Sequence, residues 1–364
     1  MARERIISVD SHANIPEELI LKHLPKQFRD EFVESRQAAR QAFLAGRPQK
    51  AGKETPPLPN MGKGAPWKAA GRPGEYDPVE RLKDMDIDQV DAEILYTDIG
   101  AGAGFYSLSG GAGPAAFQAF NSAALEWASV DPKRLLTVYV LPLNDLDASV
   151  KEVQRIAAEG GRAIQFPLYP TELGLESYWD ASYDRLWGAL SEVGIPVSSH
   201  VGANSYLGHL MAIDPTPAKG IFQSLPPIFM AEVLGSWIVS GILERFPKLR
   251  VVMVESGLGW IPYYLDRLDR LKWRHGWDTF KGMIKEKTSF YWKRQMAAVF
   301  EEDEFGIQNR HAIGVENLMW ATDYPHPDCT WPDSQKVIHE HFEGVPDDEM
   351  RLIIGGNAAR IYNL

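Results

Sequence analysis

Residues Ile6 to His12 read IISVDSH, an apolar, β-branched run that ends in polar side chains. Ile6, Ile7 and Val9 favour a β-strand. Asp10 and His12 would lie at the carboxyl end of that strand, and both side chains can bind a metal ion. An Asp at the end of a strand is also a common cap of a turn or helix, so this stretch alone leaves both interpretations open.

Apolar runs of the same kind recur along the chain, separated by segments of helical length. We place strands at Ile6–Asp10, Ala92–Tyr96, Leu135–Leu141, Ala163–Leu168, Pro196–His200, Arg250–Glu255, near Phe290–Trp292 or just after it, and Leu318–Asp323. Near-continuous apolar strands that alternate with helices indicate parallel strands buried on both faces. About eight such units in a chain of 364 residues predict an α/β fold, a TIM-type (β/α)8 barrel.

A long insertion separates the first two strands. From about Arg40 to Glu75 the chain is rich in Pro, Gly and Lys, and such a segment cannot build a core of its own. We interpret residues 40–75 as an inserted surface loop or arm. The rest of the chain shows no composition shift typical of a boundary, so we expect a single barrel domain over residues 1–364.

Charge and composition exclude several classes of function. The formal net charge is -11, which argues against nucleic acid or an anionic membrane as a partner. The single cysteine, Cys329, excludes an intramolecular disulfide and a cysteine-based zinc site. The first residues lack a signal-peptide pattern, and no run of about 18 apolar residues occurs. We therefore expect a cytoplasmic protein.

Polar side chains that can bind a metal end four of the predicted strands. A TIM barrel builds its active site from the carboxyl ends of its strands, so these side chains should converge. Imidazole nitrogen and carboxylate oxygen suit Zn, Fe, Mn or Co. A lone histidine is more often a core residue, but the joint pattern favours a divalent metal site. Its candidate ligands are Asp10, His12, His200, Glu255 and Asp323, and His326 lies three residues after the last.

The same residues suggest the chemistry. A bound ion would lower the pKa of a water molecule and polarise a substrate carbonyl, while a neighbouring carboxylate takes the proton. We expect Asp323 to act as both ligand and base, and Glu255 and His326 to be further catalytic acid or base groups. Zinc is our first choice of metal, with iron or manganese, and one or two ions, left open. Candidates for lining the substrate pocket are Trp260, Phe105 and Tyr206.

Four stretches make the sequence recognisable: VDSHANIP from Val9, VSSHVG from Val197, VVMVESGLGWIPYYLDRLD from Val251 and WATDYPHPDCTWP from Trp320. With them the chain resembles the amidohydrolase superfamily. The likeness is to the amidohydrolase-related branch that includes aminocarboxymuconate-semialdehyde decarboxylase and related aromatic-acid decarboxylases. It runs along nearly the whole chain except the insertion.

The resemblance implies a ligand set, position by position. The family's first-strand motif falls on Asp10 and His12, its fifth-strand histidine on His200, and its last-strand aspartate on Asp323. The family's decarboxylases usually carry a histidine, acting as acid or base, at the end of strand six. Glu255 stands at that position here.

Three reactions fit these residues. Our main hypothesis is a metal-dependent hydrolase whose activated water attacks a small organic acid or amide. The alternative is a non-oxidative decarboxylase of an aromatic or muconate-like acid, in which Glu255 or His326 replaces the usual histidine. The further alternative is a dinuclear Fe/Mn oxygenase on the same barrel, with Glu255 as an added ligand. In each case the partner is a small-molecule substrate, and we expect a homo-oligomer, the homodimer being the simplest.

Overall fold

A computed structural model describes residues 4–45, 68–69, 71–97, 104–108, 110–202, 220–221, 224–279 and 283–364. Its centre is one sheet of eight parallel strands that neighbour each other in the order of the chain. The strands are β1 Ile7–Ala13, β2 Ala92–Thr97, β3 Leu135–Tyr139, β4 Ala163–Gln165, β5 Val197–His200, β6 Val251–Val254, β7 Met296–Phe300 and β8 Leu318–Trp320. A parallel bridge between Ser11 and Tyr324 joins the first strand to the chain after the last. The predicted TIM-type barrel is confirmed.

Helices surround this sheet. They are α1 Glu17–His23, α2 Arg29–Ala45, α3 Pro78–Asp88, α4 Ala112–Ala128, α5 Leu146–Ala158, α6 Asp184–Val193, α7 Pro226–Val239, α8 Ile242–Arg245, α9 Ile261–Thr279, α10 Thr288–Gln295, α11 Glu304–Gln308, α12 Arg310–Ile313, α13 Ser334–His341, α14 Asp347–Arg351 and α15 Asn357–Tyr362. A π-helical turn at Leu352–Gly356 joins α14 to α15. The predicted terminal helix is therefore one helical segment with a wide turn in its middle.

The core has two layers. Inward-facing apolar side chains such as Val9, Ile94, Val254 and Met319 fill the barrel interior. A larger layer lies between the strands and the helices, where the rings of Trp187 and Trp237 pack edge to face. Filling the interior with side chains is what makes a barrel of this size a packed core rather than a channel. The polar groups at the carboxyl ends of the strands consequently rest on a rigid apolar base.

The structure sharpens the bounds of two predicted segments. The weak seventh strand was expected near Phe290–Trp292 or just after it. It lies just after, at Met296–Phe300, because Phe290–Trp292 belong to α10. The insertion was expected to begin near Arg40, but α2 continues to Ala45. Residues 46–67 and 70, the middle of the predicted arm, lie outside the described residues. None of the described helices is long and apolar enough to cross a membrane.

Candidate metal centre

An irregularity in β1 places its two metal-binding side chains. Ser8 pairs with Glu93 and Ser11 pairs with Leu95, so three steps along β1 match two along β2. One extra residue is the signature of a β-bulge, which bends a strand and redirects its side chains. The Ser8 hydroxyl donates to the carbonyl of Asp10 at 2.8 Å and accepts from the backbone N–H of Thr322 at 2.9 Å. The side chain of Ser8 thus satisfies backbone groups around the bulge.

The predicted ligands converge at the carboxyl end of the barrel. The Nε2 atom of His12 lies 3.4 Å from Asp10 Oδ1 and 3.3 Å from Asp323 Oδ1. The Nε2 atom of His200 lies 3.3 Å from the same Asp10 oxygen and 3.8 Å from Glu255 Oε2. These five side chains come from strand ends far apart in sequence, and their donor atoms all point into one small volume.

Several of these donor atoms have no hydrogen-bond partner although they are buried. They are both carboxylate oxygens of Asp10, Nε2 of His12, Nε2 of His200 and Oδ1 of Asp323. Leaving buried polar atoms unpaired is costly, and so many in one place need an explanation. A divalent cation supplies it, because imidazole nitrogen and carboxylate oxygen are its usual ligands. The residues therefore fit the metal ion that the sequence implies.

A hydrogen bond to the backbone orients the His200 ring for metal binding. Its Nδ1 atom lies 2.8 Å from the backbone carbonyl oxygen of Val201, which leaves Nε2 facing Asp10. A carbonyl at Nδ1 selects the tautomer that carries its proton there, so Nε2 has a free lone pair. This is the arrangement that metal-bound histidines commonly show.

Burial and neighbouring charges shift the acidity of the ligands in opposite directions. Burial disfavours ionisation of Asp10, but His200 and His12 outweigh it and hold the pKa of the Asp10 carboxyl well below its usual range. Burial likewise disfavours the charged forms of His12 and His200, yet the carboxylates beside them raise the pKa of both imidazoles. A divalent ion would compete with protons for the imidazole nitrogens.

Glu255 and Asp323 share an unusual backbone. Their φ angles are 52° and 54°, in the left-handed region that residues other than glycine seldom adopt. Strain of this kind persists where the surrounding structure holds it, most often at functional sites. The loop after Glu255 is held by Asp303, whose carboxylate accepts from the backbone N–H groups of Leu258 at 2.6 Å and Gly259 at 2.9 Å.

Glu301, at the end of β7, is a functional candidate that the sequence reasoning missed. Its Oε1 atom is buried and unpartnered. Burial and the carboxylates of Asp10 and Asp323 raise the pKa of Glu301 well above its usual value. Burial, Asp323 and Asp10 do the same for the pKa of Glu255. The signal lay in the run MAAVF before Glu301, which is the strand that the sequence located only loosely.

The other predicted site residues lie in different surroundings. The His326 Nδ1 atom is 2.8 Å from Asp323 Oδ1, and the ring is 3.9 Å from that of His12. Trp260 follows the loop after Glu255, where its indole N–H donates to the carbonyl of Ser256 at 2.7 Å. Phe105 is 1% exposed and packs against other core rings. Tyr206 lies outside the described residues, so its proposed role, like those of Trp260 and Phe105, stays a prediction.

Comparison with known proteins places this site in a family. The amidohydrolase family model matches residues 9–364. The chain belongs to the amidohydrolase family. The resemblance of its motifs is thereby confirmed, and the protein is an enzyme, a metal-dependent hydrolase or carboxy-lyase.

Two relatives and one solved structure illustrate the likeness. The gamma-resorcylate decarboxylase of Rhodococcus jostii (strain RHA1) is 26% identical over 272 residues, which cover 67% of this amidohydrolase and 75% of the relative. The 2-amino-3-carboxymuconate-6-semialdehyde decarboxylase of Dictyostelium discoideum is 22% identical over 299 residues, 79% of this chain and 77% of the relative. A 5-carboxyvanillate decarboxylase from Novosphingobium aromaticivorans, solved with manganese and 3-methoxy-4-hydroxy-5-nitrobenzoic acid, shares the fold. Its TM-score is 0.73 at 18% identity, over 99% of this chain and 97% of the other.

Proposed function

We propose that this amidohydrolase is a non-oxidative decarboxylase of a small hydroxylated aromatic acid. Asp10, His12, His200 and Asp323 would hold one divalent ion, and the chemistry that such an ion would supply is the polarisation of the substrate's carboxyl group and of an adjacent oxygen. Manganese, present in the relative, and zinc, favoured by the sequence, are the ions to test first. The related decarboxylases support this reaction over hydrolysis.

The observation that carries the proposal is the position of the Glu255 carboxyl group beside the metal-ligand candidates. Decarboxylation needs a proton at the carbon that loses its carboxyl group, so a protonated acid must stand beside the metal ligands. The Glu255 carboxyl lies 3.8 Å from His200 Nε2, and its neighbouring carboxylates and burial favour its protonated form. Its side chain is 29% exposed, which lets it recover a proton from solvent.

The step balances with this one acid. The bond between the ring carbon and the carboxyl carbon breaks, carbon dioxide leaves, and the electron pair stays on the ring carbon. That carbon takes the proton of the Glu255 carboxyl, and water returns a proton to Glu255. His326, whose Nδ1 atom lies 2.8 Å from Asp323 Oδ1 and whose side chain is 38% exposed, would orient the substrate at the entrance.

The proposal is tested by following where the carboxyl group of the substrate goes and which carbon takes up the incoming proton. The metal-loaded enzyme is incubated in D2O with 2,6-dihydroxybenzoate and 5-carboxyvanillate, the substrates named by its relatives. We expect carbon dioxide and one deuterium at the vacated carbon. Glu255→Gln should lower turnover by about 10²- to 10⁴-fold, the usual contribution of a general acid, with the metal content unchanged.

A matched control is Glu159→Gln, which alters an exposed carboxylate paired with Arg155 and should leave turnover as it was. Full turnover in the Glu255→Gln variant would overturn the role of Glu255. Turnover of esters or amides with no carbon dioxide from any hydroxybenzoate would overturn decarboxylation and restore the hydrolase.

A two-metal oxygenase is the second candidate, and one observation favours it. Two overlapping donor groups occur, Asp10–His12–His200–Glu255 and His12–Glu255–Asp323–His326, each with its donor atoms within 4.8 Å of one another. Metal analysis decides: two ions per chain, halved by Glu255→Gln, together with substrate-dependent oxygen uptake would replace the decarboxylase.

Partner and assembly follow the same proposal. The expected partner is a small aromatic acid that would bind at the metal. A homo-oligomer and a cytoplasmic location remain predictions, and light scattering of the purified enzyme tests the first. A molar mass of about one chain at micromolar concentration would overturn the expected oligomer.

A further inference from the structure

Arg81, on α3, is completely buried beside the metal centre, and the chemistry above makes no use of it. Its Nη1 atom donates to the carbonyl oxygen of His12 at 2.8 Å and to that of Gly74 at 3.2 Å. Its Nε atom donates to Glu93 Oε2 at 2.6 Å. One guanidinium therefore contacts the main chain of a metal-ligand candidate directly.

The face of the same guanidinium covers the residue next to a second ligand. The Arg81 Cζ atom lies 4.1 Å from the centre of the Tyr324 ring, and Tyr324 directly follows Asp323. A guanidinium over an aromatic face is attracted to it, the more so when water is excluded. The Tyr324 hydroxyl donates to Asp84, also on α3, at 2.5 Å. Helix α3 thus binds both the end of β1 and the segment after β8.

These contacts reinforce the weakest junction of the barrel. Other neighbouring strands pair through two to five residues each. The first strand meets the chain after β8 through the isolated bridge of Ser11 and Tyr324. Its main-chain bonds run from His12 N–H to the Tyr324 carbonyl at 2.6 Å and from Asp323 N–H to the Asp10 carbonyl at 2.9 Å. Three metal-ligand candidates, Asp10, His12 and Asp323, lie on this junction.

The buried charge of Arg81 is balanced within the same junction. Glu93, on β2, is 3% exposed, and its other oxygen accepts from the Ser11 hydroxyl at 3.2 Å. Gly74 lies so close that a Cβ atom there would be 2.5 Å from Asp84 Oδ2 and 3.0 Å from the Tyr324 hydroxyl. A buried ion pair is a weak source of stability, because desolvation offsets its attraction. Its planar, multiply bonded geometry instead fixes positions.

We infer that Arg81 is a positioning residue for the metal centre, which holds His12 and Asp323 at binding distance by joining β1 to the chain after β8. The inference rests on the metal centre of the proposed function but not on the reaction. The 3.3 Å separation of His12 Nε2 and Asp323 Oδ1 is the geometry that Arg81 maintains. The planar guanidinium is required, because a lysine ammonium cannot contact both carbonyls, Glu93 and the tyrosine face at once.

The test measures metal affinity in the full-length enzyme without substrate. Arg81→Lys and Arg81→Met are titrated with Mn²⁺, and the free ion is quantified by electron paramagnetic resonance. We expect a loss of about 10- to 100-fold in affinity, the usual effect of removing a partner that orients metal ligands. Arg81→Lys keeps the charge, so its loss reports on geometry. Circular dichroism gives the folded fraction, and affinity is expressed per folded molecule.

The matched control is Arg310→Lys. Arg310 also combines a bond to a carboxylate, Glu349, with one to a backbone carbonyl, that of Ile307, but it is remote from the ligands. Arg310→Lys should lower the melting temperature and should change the Mn²⁺ affinity by no more than twofold. Absorption of the Co²⁺-substituted enzyme supplies a second readout, since altered ligand geometry should shift its visible bands in Arg81→Lys alone.

The outcomes separate this inference from the reaction proposed above. Wild-type affinity and an unshifted Co²⁺ spectrum in folded Arg81→Lys would overturn the positioning role. Should Arg81→Met fail to fold, Arg81→Lys and Tyr324→Leu, which removes the stacked ring, decide instead, and unchanged affinity in both overturns the role. Absence of carbon dioxide release would overturn the decarboxylase while leaving the affinity result intact.

Discussion

At the carboxyl end of the barrel, side-chain atoms of Asp10, His12 and His200 are buried without a hydrogen-bond partner. At the amino end, by contrast, side-chain amides each donate to several backbone carbonyls. The Nδ2 atom of Asn317 donates to the carbonyls of Trp292, Lys293 and Met296 at 3.2, 3.2 and 2.7 Å. The side-chain nitrogens of Gln295 and Asn357 each contact two backbone carbonyls.

The contrast separates stability from function within one sheet. The neutral side-chain amides at the amino end connect strands and loops by hydrogen bonds and add no charge. Ionisable groups at the carboxyl end remain unsatisfied until a ligand arrives, so they cost the fold stability. Changes at the two ends should accordingly have opposite consequences for metal binding and for unfolding.

The largest effect on function should come from Asp323→Asn. The amide keeps the size of the carboxylate but is a poor ligand for a divalent ion, so bound metal and turnover should both fall to background. Metal-free stability should fall by about 3 to 5 kcal/mol at most, the cost of removing one partner of a buried pair such as Asp323 and His12. Elemental analysis of bound metal, with thermal unfolding in chelator, checks both. A variant that retained a full metal complement would remove Asp323 from the ligand set.

Asn317→Ala should give the reverse result. It leaves three backbone carbonyls at the amino end without their donor, so the free energy of unfolding should fall by about 2 to 4 kcal/mol. Denaturant unfolding measures this loss. Metal affinity per folded molecule should stay as in the wild type. A large loss of affinity at native stability would show that the two ends are not independent.

Glu301→Gln should have the smallest effect, which is a change in how the stability of the metal-free protein depends on pH. The pKa of Glu301 is raised in the folded protein, so the folded state holds its proton more tightly than the unfolded state. This group therefore costs increasing stability as pH rises above its unfolded pKa of about 4.3, until the folded pKa is reached. Glutamine cannot ionise, so the metal-free variant should lose less stability than the wild type as the pH rises above that unfolded pKa. Superimposable stability–pH curves in chelator would contradict this.

Strand patterns predicted much of both the fold and the centre. Apolar runs such as AEILY and RVVMVE locate their strands within one or two residues, since burial on both faces demands continuous apolar sequence. From the polar residues that end these runs, His200 and Glu255 were predicted to lie close together. The prediction was least exact where the pattern was ambiguous. The aromatic run Phe290–Trp292 is helical and strand seven lies just after it, and because the end of that strand was not defined, Glu301 was missed.

The roles of Arg81 and Phe105 show a different limit. In the sequence, Arg81 is one basic residue of a polar helix, and a bond to the carbonyl of His12, 69 positions away, leaves no local signal. Phe105 was an aromatic residue of a Gly-rich loop, yet its ring is buried among Phe32, Phe117 and Phe120. Contacts of this kind depend on how distant helices dock against the barrel.

The amino-acid sequence by itself determined the barrel, the residue types of the metal centre and their position at the carboxyl ends of strands, because hydrophobic periodicity and strand polarity are local properties. Only the tertiary structure decided that the Asp10 oxygens lie between two imidazoles, that Glu255 and Asp323 adopt left-handed backbones, and that Arg81 spans the junction of β1 with the chain after β8. Those features depend on distances between segments up to about 300 residues apart, such as Asp10 and Asp323, which closure of the sheet brings together.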